Sequence, residues 1–384
     1  QVKKPTAPAK STKKPAKPPS KASKKRKAQA MEVADITVTA TDKDLLGHQV
    51  YQKYFNSEDT AVFVFTDTYR QKDDLDFKKH VSRIRNVNTV PKSEFTQGDY
   101  EYWCRRDFNL LSHQEQDAFN SDNTLYLFVV NSKKSPKVHT HNTRKFCELH
   151  VAHGHPIARS TAVHSVPEAK HATETIAKGF QVELYLMKGM RVMLRKNVWT
   201  AAGLVNGSLG DIYDVLFDPQ TETFVALVDF PSYTGPQAFV NCPKTVVPIM
   251  FEKAEFQVGK GKNGKKQMAT RNQLPLVMAW ATSIHKSQGM TIGPGKRFLV
   301  HRSCFNQRVT GESVAKVVID VGKSESWAPG LMYVAISRAT LSSCVAFDPM
   351  PSFERFSKLN TSQQAKEILK HLSRLEEMSK RAKH

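Results

Sequence analysis

The chain has 384 residues, of which 40% are hydrophobic, and a formal net charge of +21 at pH 7. It is long enough for two domains with a sizeable core, and no apolar run reaches the roughly 20 residues of a membrane span, so we expect no membrane contact. The positive charge predicts a polyanionic partner. The cysteines lack any CxxC pair, which indicates reduced thiols rather than a disulfide framework: Cys104, Cys147, Cys242, Cys304 and Cys344.

Residues 1–30 are rich in Lys, Pro, Ala and Ser and contain no acid. Such a segment cannot bury apolar surface, so a disordered basic tail is predicted. The stretch 23–27, Ser-Lys-Lys-Arg-Lys, is typical of a nuclear localisation signal or a nucleic-acid patch, although a merely solubilising extension is the alternative. Residues 31–60 are interpreted as a linker or the remnant of a preceding domain. The chain begins with Gln, which suggests a fragment.

The globular pattern begins with an apolar run at 61–65, which predicts a strand. A polar stretch from Thr68 to Asp74 follows. It leads into a predicted helix whose apolar face is formed by Leu75, Phe77, Val81 and Ile84. Next, the run 125–130 predicts a buried strand, and a polar helix is expected around 139–150.

Cys147, His150, His153 and His155 lie close together in the sequence. Their spacing is not that of a standard zinc site, and no second ligand pair occurs elsewhere. Solvent-facing histidines are therefore expected, and no metal site is assigned.

The middle of the chain has the pattern of a β-rich region. Short strand-like runs at 212–217, 224–230 and 246–251 alternate with turn sequences. A basic loop, 259–266, follows and nearly matches the phosphate-binding pattern GxxxxGK[ST]. Its eighth position is Lys266, which offers no hydroxyl to magnesium, so we interpret the loop as a phosphate-backbone contact or as solvated charge.

An unbroken apolar run at 276–281 predicts a strand buried on both faces of a parallel sheet, with Trp280 in the core. Polar residues follow at once, as expected for a ligand site at the carboxyl edge of an α/β sheet. Further along, 317–321 predicts a strand, 330–340 a helix with a cation near its end, and 342–347 the last strand. Residues 361–383 have the pattern of an amphipathic basic helix with Ala365, Ile368, Leu369, Leu372 and Leu375 on one face.

Three of these stretches resemble motifs of superfamily 1 helicases. The segment 280–291 (WATSIHKSQGMT) resembles motif V, 333–339 (YVAISRA) resembles motif VI, and the Arg70-Gln71 pair before a helix resembles motif IV. The resemblance is to the RecD-like, 5′→3′ branch (superfamily 1B) and, within it, to the eukaryotic Pif-type DNA helicases. It covers residues 60–350.

The resemblance implies an α/β fold: a RecA-like parallel sheet with helices on both faces, plus an inserted small SH3-like β-barrel. The second RecA-like motor domain is assigned to 61–200 and 274–350, the SH3-like insert to 201–273, and a C-terminal helix to 357–384. The segment 297–315 is longer than the usual connection between motifs V and VI.

The resemblance also implies the site residues. Arg70 and Arg338 are the expected catalytic arginine fingers, and Gln71 and Gly289 are expected to join them in binding ATP. For Arg70, a capping role on a surface helix is the alternative. The expected contacts to single-stranded or forked DNA are Asn142, Ser283, His285, Lys286, Ser287, Gln288 and Thr291. ATP and Mg would act only in the complete enzyme.

The chain contains no GxxxxGK[ST] motif and no buried strand ending in Asp-Glu. The first hypothesis is therefore the C-terminal motor half of an ATP-dependent DNA helicase, with the P-loop domain on a missing N-terminal segment or a separate chain. This chain alone is expected not to hydrolyse ATP. The second hypothesis is a catalytically inactive nucleic-acid-binding module derived from a helicase. The family resemblance predicts roles in DNA repair and telomere maintenance, with a nuclear or, alternatively, mitochondrial location.

Overall fold

The computed structural model describes residues 69–89, 93–120, 124–129, 136–220, 222–260, 266–293, 316–322 and 330–381. The predictions for residues 1–60, for the apolar run 61–65, for the centre of the basic loop 259–266 and for the segment 297–315 lie outside these residues. By internal contacts, 65–373 form one unit. The other unit, 1–64 and 374–384, is described only for the last turns of the C-terminal helix.

Seven α-helices are described within these ranges. They are α1 (Leu75–Asn86), α2 (Gln97–Cys104), α3 (His113–Asn120), α4 (Lys137–His153), α5 (Leu331–Ile336), α6 (Phe353–Ser357) and α7 (Gln363–Arg381). The strands up to the middle of the chain are β1 (Thr124–Phe128), β2 (Ala158–Thr161), β3 (Val163–His164), β4 (Glu183–Leu186), β5 (Arg191–Leu194), β6 (Leu209–Asp218) and β7 (Thr223–Asp229). The later strands are β8 (Val246–Ile249), β9 (Glu252–Lys260), β10 (Lys266–Gln273), β11 (Leu276–Met278), β12 (Ala281–Ser283), β13 (Lys316–Asp320) and β14 (Val345–Phe347).

A parallel sheet with the strand order β12-β1-β13-β14 is the centre of the α/β part. Its strands alternate between two apolar layers. Val317 and Ile319 of β13 pack with α1, α2 and α5 on one face, whereas Val318 packs with Phe119 of α3 on the other. The described helices therefore cover both faces of the sheet, and the predicted parallel sheet with helices is confirmed.

Helix α1 begins where its sequence supplies a cap. The Asp74 carboxylate accepts a hydrogen bond from the Phe77 N–H, which is the usual role of Asp at an N-cap. Phe77, Val81 and Ile84 are buried as predicted. Leu75 was expected on the same face, but it is 72% exposed. It lies in the first helical turn, where the chain has only just entered the helix.

The β-rich part forms three antiparallel sheets, and the largest has the order β11-β5-β6-β7-β8. This sheet extends beyond the predicted insert, 201–273, at both ends, because it includes β5 and β11. These two strands pair with each other, and next to them the Arg195 N–H donates to the Pro275 carbonyl at 2.8 Å. The SH3-like barrel remains a prediction.

The apolar run 276–281 was predicted to be one strand of the parallel sheet, and this prediction is wrong. Leu276–Met278 pairs antiparallel with β5, whereas Ala281–Ser283 pairs parallel with β1. The chain bends between them, and Trp280 is buried in the core as predicted. An apolar run reports burial but not which sheet supplies it, so the sequence pattern did not reveal the bend.

Two features complete the C-terminal part. Residues Ser342–Cys344 form a 3₁₀ turn, so the predicted strand 342–347 begins only at Val345. The predicted amphipathic helix is present as α7, in which Ala365 is buried and Leu372 is 39% exposed. Among the helices described here, none combines the length and apolar character needed to cross a bilayer.

Candidate nucleotide and nucleic-acid site

The two predicted arginine fingers lie together, although they are separated by more than 260 residues in the sequence. Arg70 donates from Nη1 to the Ser337 carbonyl at 2.9 Å and from Nε to the Thr291 hydroxyl at 3.3 Å. Arg338 donates from Nη2 to the Ser337 hydroxyl at 2.9 Å and from Nε to the Val334 carbonyl at 2.9 Å. Both guanidinium groups are thus anchored on one residue at the end of α5.

The electrostatics of this pair are those of an anion site. Burial lowers the pKa of Arg338 first, and the neighbouring positive charge of Arg70 lowers it further. In the described part of the chain, neither arginine forms an ion pair with a carboxylate. Two cations held together in this way favour a polyanionic ligand, since such a ligand would relieve their repulsion.

Motifs V and VI are joined through the backbone. Ile292 and Ala339 form a parallel bridge, in which the Ile292 N–H donates to the Arg338 carbonyl and the Thr340 N–H to the Ile292 carbonyl. Gln71 is 4% exposed, and its Nε2 donates to the carbonyls of Ser337 and Ala339. The Gln71 side chain therefore fixes the backbone beneath the arginines in this structure. Its contact with ATP stays a prediction.

A second set of hydrogen bonds links the start of α1 to the turn after motif VI. The Asp74 carboxylate accepts hydrogen bonds from both the N–H and the hydroxyl of Ser342, at 2.9 and 2.8 Å. Burial opposes ionisation of Asp74, but the hydrogen bonds from the main chain of Ser342 and Phe77 outweigh it and hold the pKa below its ordinary value.

The motif V residues form a short turn after β12. A 3₁₀ turn spans Ile284–Ser287, and its first and last side chains face the interior while the two between them face solvent. Ile284 and Ser287 are buried, and the Ser287 hydroxyl donates to the Ile284 carbonyl at 2.7 Å. His285, Lys286, Gln288 and Gly289 are exposed.

Gly289 closes this turn with φ of 90°, a conformation that side-chain-bearing residues rarely adopt. Among the residues that the structure describes, no atom lies within 4 Å of where its Cβ would be.

Lys286 lies in a charged neighbourhood that includes a residue of the β-rich part. Desolvation lowers the pKa of Lys286 first, and the Arg195 guanidinium lowers it further, whereas Glu174 opposes the shift. Lys286 therefore lies beside a second cation, Arg195, and a phosphodiester backbone bound here would offset their repulsion.

Two of the predicted DNA contacts point into the protein instead. Asn142 is 6% exposed; its Nδ2 donates to the carbonyls of Met278 and Ala281, and its Oδ1 accepts from the Ala281 N–H at 2.7 Å. Asn142 thus holds the bend between β11 and β12. Ser287 is fully buried, as described above. Thr291 contacts Arg70, and Ser283 is half-buried at the end of β12.

No group of three or more His, Cys, Asp or Glu side chains that could hold a metal ion occurs among the described residues. The stretch with Cys147 lies on α4 and the loop after it. There the His150 ring contacts the His155 carbonyl, and the rings of His153 and His155 stack at 5.7 Å.

Ser337 and Asp74 were not singled out from the sequence. The contacts of Ser337 with Arg70 and of Asp74 with Ser342 join residues 267 and 268 positions apart, so no local spacing reveals them. One signal was present: a serine at the end of a helix often bonds back to a carbonyl of the preceding turn, and the Ser337 hydroxyl donates to the Val334 carbonyl at 3.2 Å.

The parallel sheet and its covering helices form an α/β domain. Two solved structures share this fold. The Pif1 helicase from Candida albicans matches with a TM-score of 0.50 and 22% identity, covering 80% of this chain and 60% of that one. The Pif1 helicase from Bacteroides, in complex with ADP-AlF3 and ssDNA, matches with a TM-score of 0.50 and 20% identity, covering 84% of this chain and 61% of that one.

Curated relatives show similarity at the sequence level as well. The human ATP-dependent DNA helicase PIF1 is 31% identical over 197 residues, which is 50% of this chain and 24% of that protein. The zebrafish (Danio rerio) protein of the same name is 38% identical over 109 residues, 28% of this chain and 14% of that protein. A scan against protein-family models found no match. The chain is therefore similar to Pif-type helicases over part of its length, and it spans about a quarter of the human relative.

Proposed function

We propose that this chain is the C-terminal motor part of an ATP-dependent 5′→3′ DNA helicase. A RecA-like P-loop domain, on a separate chain or a preceding segment, would bind the nucleotide and Mg. This part would close on the phosphates with Arg70 and Arg338 and would hold single-stranded or forked DNA along the motif V turn. The observation that carries the proposal is the convergence of both guanidinium groups on Ser337 without a described carboxylate partner.

The physical reason is the charge of the reaction. Transfer of a phosphoryl group spreads negative charge over the phosphate oxygens, and cations that arrive on domain closure stabilise it. Arg suits this role because its planar fork meets two oxygens at once. An arginine finger is worth about 10³–10⁵ in rate.

The test is ATP hydrolysis in the presence of single-stranded DNA. This chain alone should show none, whereas the chain combined with the P-loop part of a Pif-type helicase should hydrolyse ATP. In that mixture Arg338→Ala and Arg70→Ala should each lower kcat at least about 10³-fold. Arg105→Ala removes the same charge from an exposed site and serves as the control. Hydrolysis by the chain alone, or full activity of both finger variants, would refute the proposal.

The exposed side chains of the motif V turn support a second candidate, a nucleic-acid-binding module without catalysis. His285, Lys286 and Gln288 can contact a phosphodiester backbone whether or not ATP is hydrolysed. In either case we expect sequence-independent binding that weakens steeply with salt. Lys286→Ala should weaken binding and reduce the salt slope by about one, whereas Lys79→Ala, an exposed lysine of α1, should have little effect.

The basic tail, 1–30, would add phosphate contacts in both cases. Its removal should therefore lower the slope of log affinity against log salt. A nuclear or mitochondrial location, with roles in DNA repair and telomere maintenance, belongs to this proposal through the family resemblance. A fluorescent fusion of the chain, with and without the tail, tests the location.

A further inference from the structure

Ser337 occupies an unusual position between the two arginines. It is the last residue before Arg338, caps the end of α5 and is 4% exposed. Its two polar groups serve different partners. The carbonyl accepts from Arg70 Nη1 and from Gln71 Nε2, whereas the hydroxyl accepts from Arg338 Nη2. One small residue thus anchors both guanidinium groups, one through its carbonyl and the other through its hydroxyl.

These anchors leave much of each guanidinium group available. An arginine carries five N–H donors. Arg70 uses its Nε and one Nη1 donor in the described contacts, and Arg338 uses its Nε and one Nη2 donor. The remaining donors of each group can meet phosphate oxygens without breaking the anchoring bonds.

The anchoring has an energetic consequence, because two like charges tend to separate and long side chains lose rotamer freedom when they are fixed. Immobilising such a side chain on binding costs about 0.5–1.5 kcal/mol. If the protein has already fixed both side chains, a polyphosphate ligand avoids this cost. Preorganisation of this kind is how enzymes favour charge that develops in a transition state.

We propose that Ser337 is a positioning residue that holds Arg70 and Arg338 as a preformed pair, with its carbonyl anchoring Arg70 and its hydroxyl anchoring Arg338. Ser337 itself does not touch the nucleotide. The inference rests on the proposed function, since the ligand of the pair is taken to be the polyphosphate of a nucleotide. It assigns Ser337, which lies within the motif VI stretch, a role for each of its two polar groups.

Because the carbonyl and the hydroxyl of Ser337 bind different arginines, removal of the hydroxyl should affect Arg338 but not Arg70 in the full chain. NMR relaxation of the arginine Nε–Hε groups reports how rigid each guanidinium group is, and Arg70→Lys and Arg338→Lys assign the two signals. Ser337→Ala removes the hydroxyl but keeps the carbonyl, so Arg338 keeps only its Nε bond to the Val334 carbonyl and its signal should become more mobile, while that of Arg70 stays rigid. Thr291→Val removes the acceptor of Arg70 Nε and should produce the opposite pattern. Ser337→Thr restores a hydroxyl and should restore the rigidity of Arg338.

Inorganic tripolyphosphate then serves as the probe for the ligand. In the wild type it should shift both Nε signals with one common Kd, Ser337→Ala should raise this Kd about 3–10-fold, and Ser337→Thr should return it to within about twofold of the wild type. Thermal unfolding of each variant identifies any that fails to fold, and the Thr291→Val arm stands independently of Ser337.

The outcomes separate the two claims. If Ser337→Ala leaves both arginines rigid and the Kd unchanged, or loosens both arginines equally, the positioning role is wrong. If tripolyphosphate shifts neither signal in the wild type, the proposed nucleotide contact fails, and the relaxation measurements still decide the role of Ser337.

Discussion

The Asn142 side chain bonds to both ends of the bend between β11 and β12, and replacing it should be costly. Asn142→Ala removes three hydrogen bonds, two from Nδ2 to the carbonyls of Met278 and Ala281 and one from the Ala281 N–H to Oδ1. Each such bond contributes about 1 kcal/mol net, and leaving a buried N–H without a partner costs about 1–3 kcal/mol. Ala281 is 1% exposed, so water cannot easily replace the lost acceptor. We therefore expect a loss of about 3–5 kcal/mol in the free energy of unfolding.

Equilibrium unfolding in urea measures this loss, with Thr143→Ala as the control. Thr143 is the next residue of α4 and is exposed, so its truncation should change stability by less than about 0.5 kcal/mol. A loss below about 1 kcal/mol for Asn142→Ala, at an unchanged denaturant slope, would show that the bend does not need the amide. Weaker DNA binding at full stability would instead indicate a direct contact of Asn142 with the ligand.

Three further predictions concern packing and pH. A Cβ at Gly293 would lie 1.7 Å from the Thr340 Oγ1, so Gly293→Ala should lower stability by about 1–3 kcal/mol in thermal unfolding, and Thr340→Ala in the same chain should recover part of the loss. Burial, followed by the charges of nearby cations, lowers the pKa of His141 to about 4, so folding opposes its protonation. Relative to His141→Gln, the wild type should therefore lose roughly 1–3 kcal/mol in its free energy of unfolding as the pH falls from about 6.5 to about 4. The same pH dependence of the urea unfolding free energy in both proteins would contradict this. The folded pKa of Asp74 lies below its ordinary 3.8, so the stability that its carboxylate contributes is complete above pH 3.8 and is lost as the pH falls through the folded pKa. Asp74→Ala should therefore lower the free energy of unfolding by about 2–4 kcal/mol at pH 7. This loss should shrink under acid conditions.

The sequence predicted those features whose signal is local. The periodicity of Phe77, Val81 and Ile84 identified the buried face of α1, and the run around Val318 identified a central strand. The motif resemblance identified Arg70 and Arg338 as a pair, and the structure brings them together. Within the motif V turn, the exposed side chains could not be told from the buried ones, because the turn is 3₁₀ rather than a strand or an α-helix.

Other features depend on contacts that no local pattern encodes. Asn142 lies 139 residues from Ala281, and Arg70 lies 221 residues from Thr291. A polar residue of motif V is a reasonable DNA contact on its side-chain chemistry alone, so Thr291 was assigned to DNA although its hydroxyl meets an arginine. The division of 276–281 between two sheets was missed for the same reason, since its partners β1 and β5 lie far away in the sequence.

The pairing of β5 with β11 has a consequence for how such a chain can diversify. The segment between them begins and ends at one point, where Arg195 and Pro275 are joined by a hydrogen bond, and within it β10 also pairs with β3. Changes in the length or sequence of the segment 196–274 would leave the registers of the parallel sheet unchanged. A graft between homologues that takes residues 158–275 together should therefore yield a folded hybrid, because it keeps the pairing of β10 with β3 and the hydrogen bonds between Ser160 and Gln273.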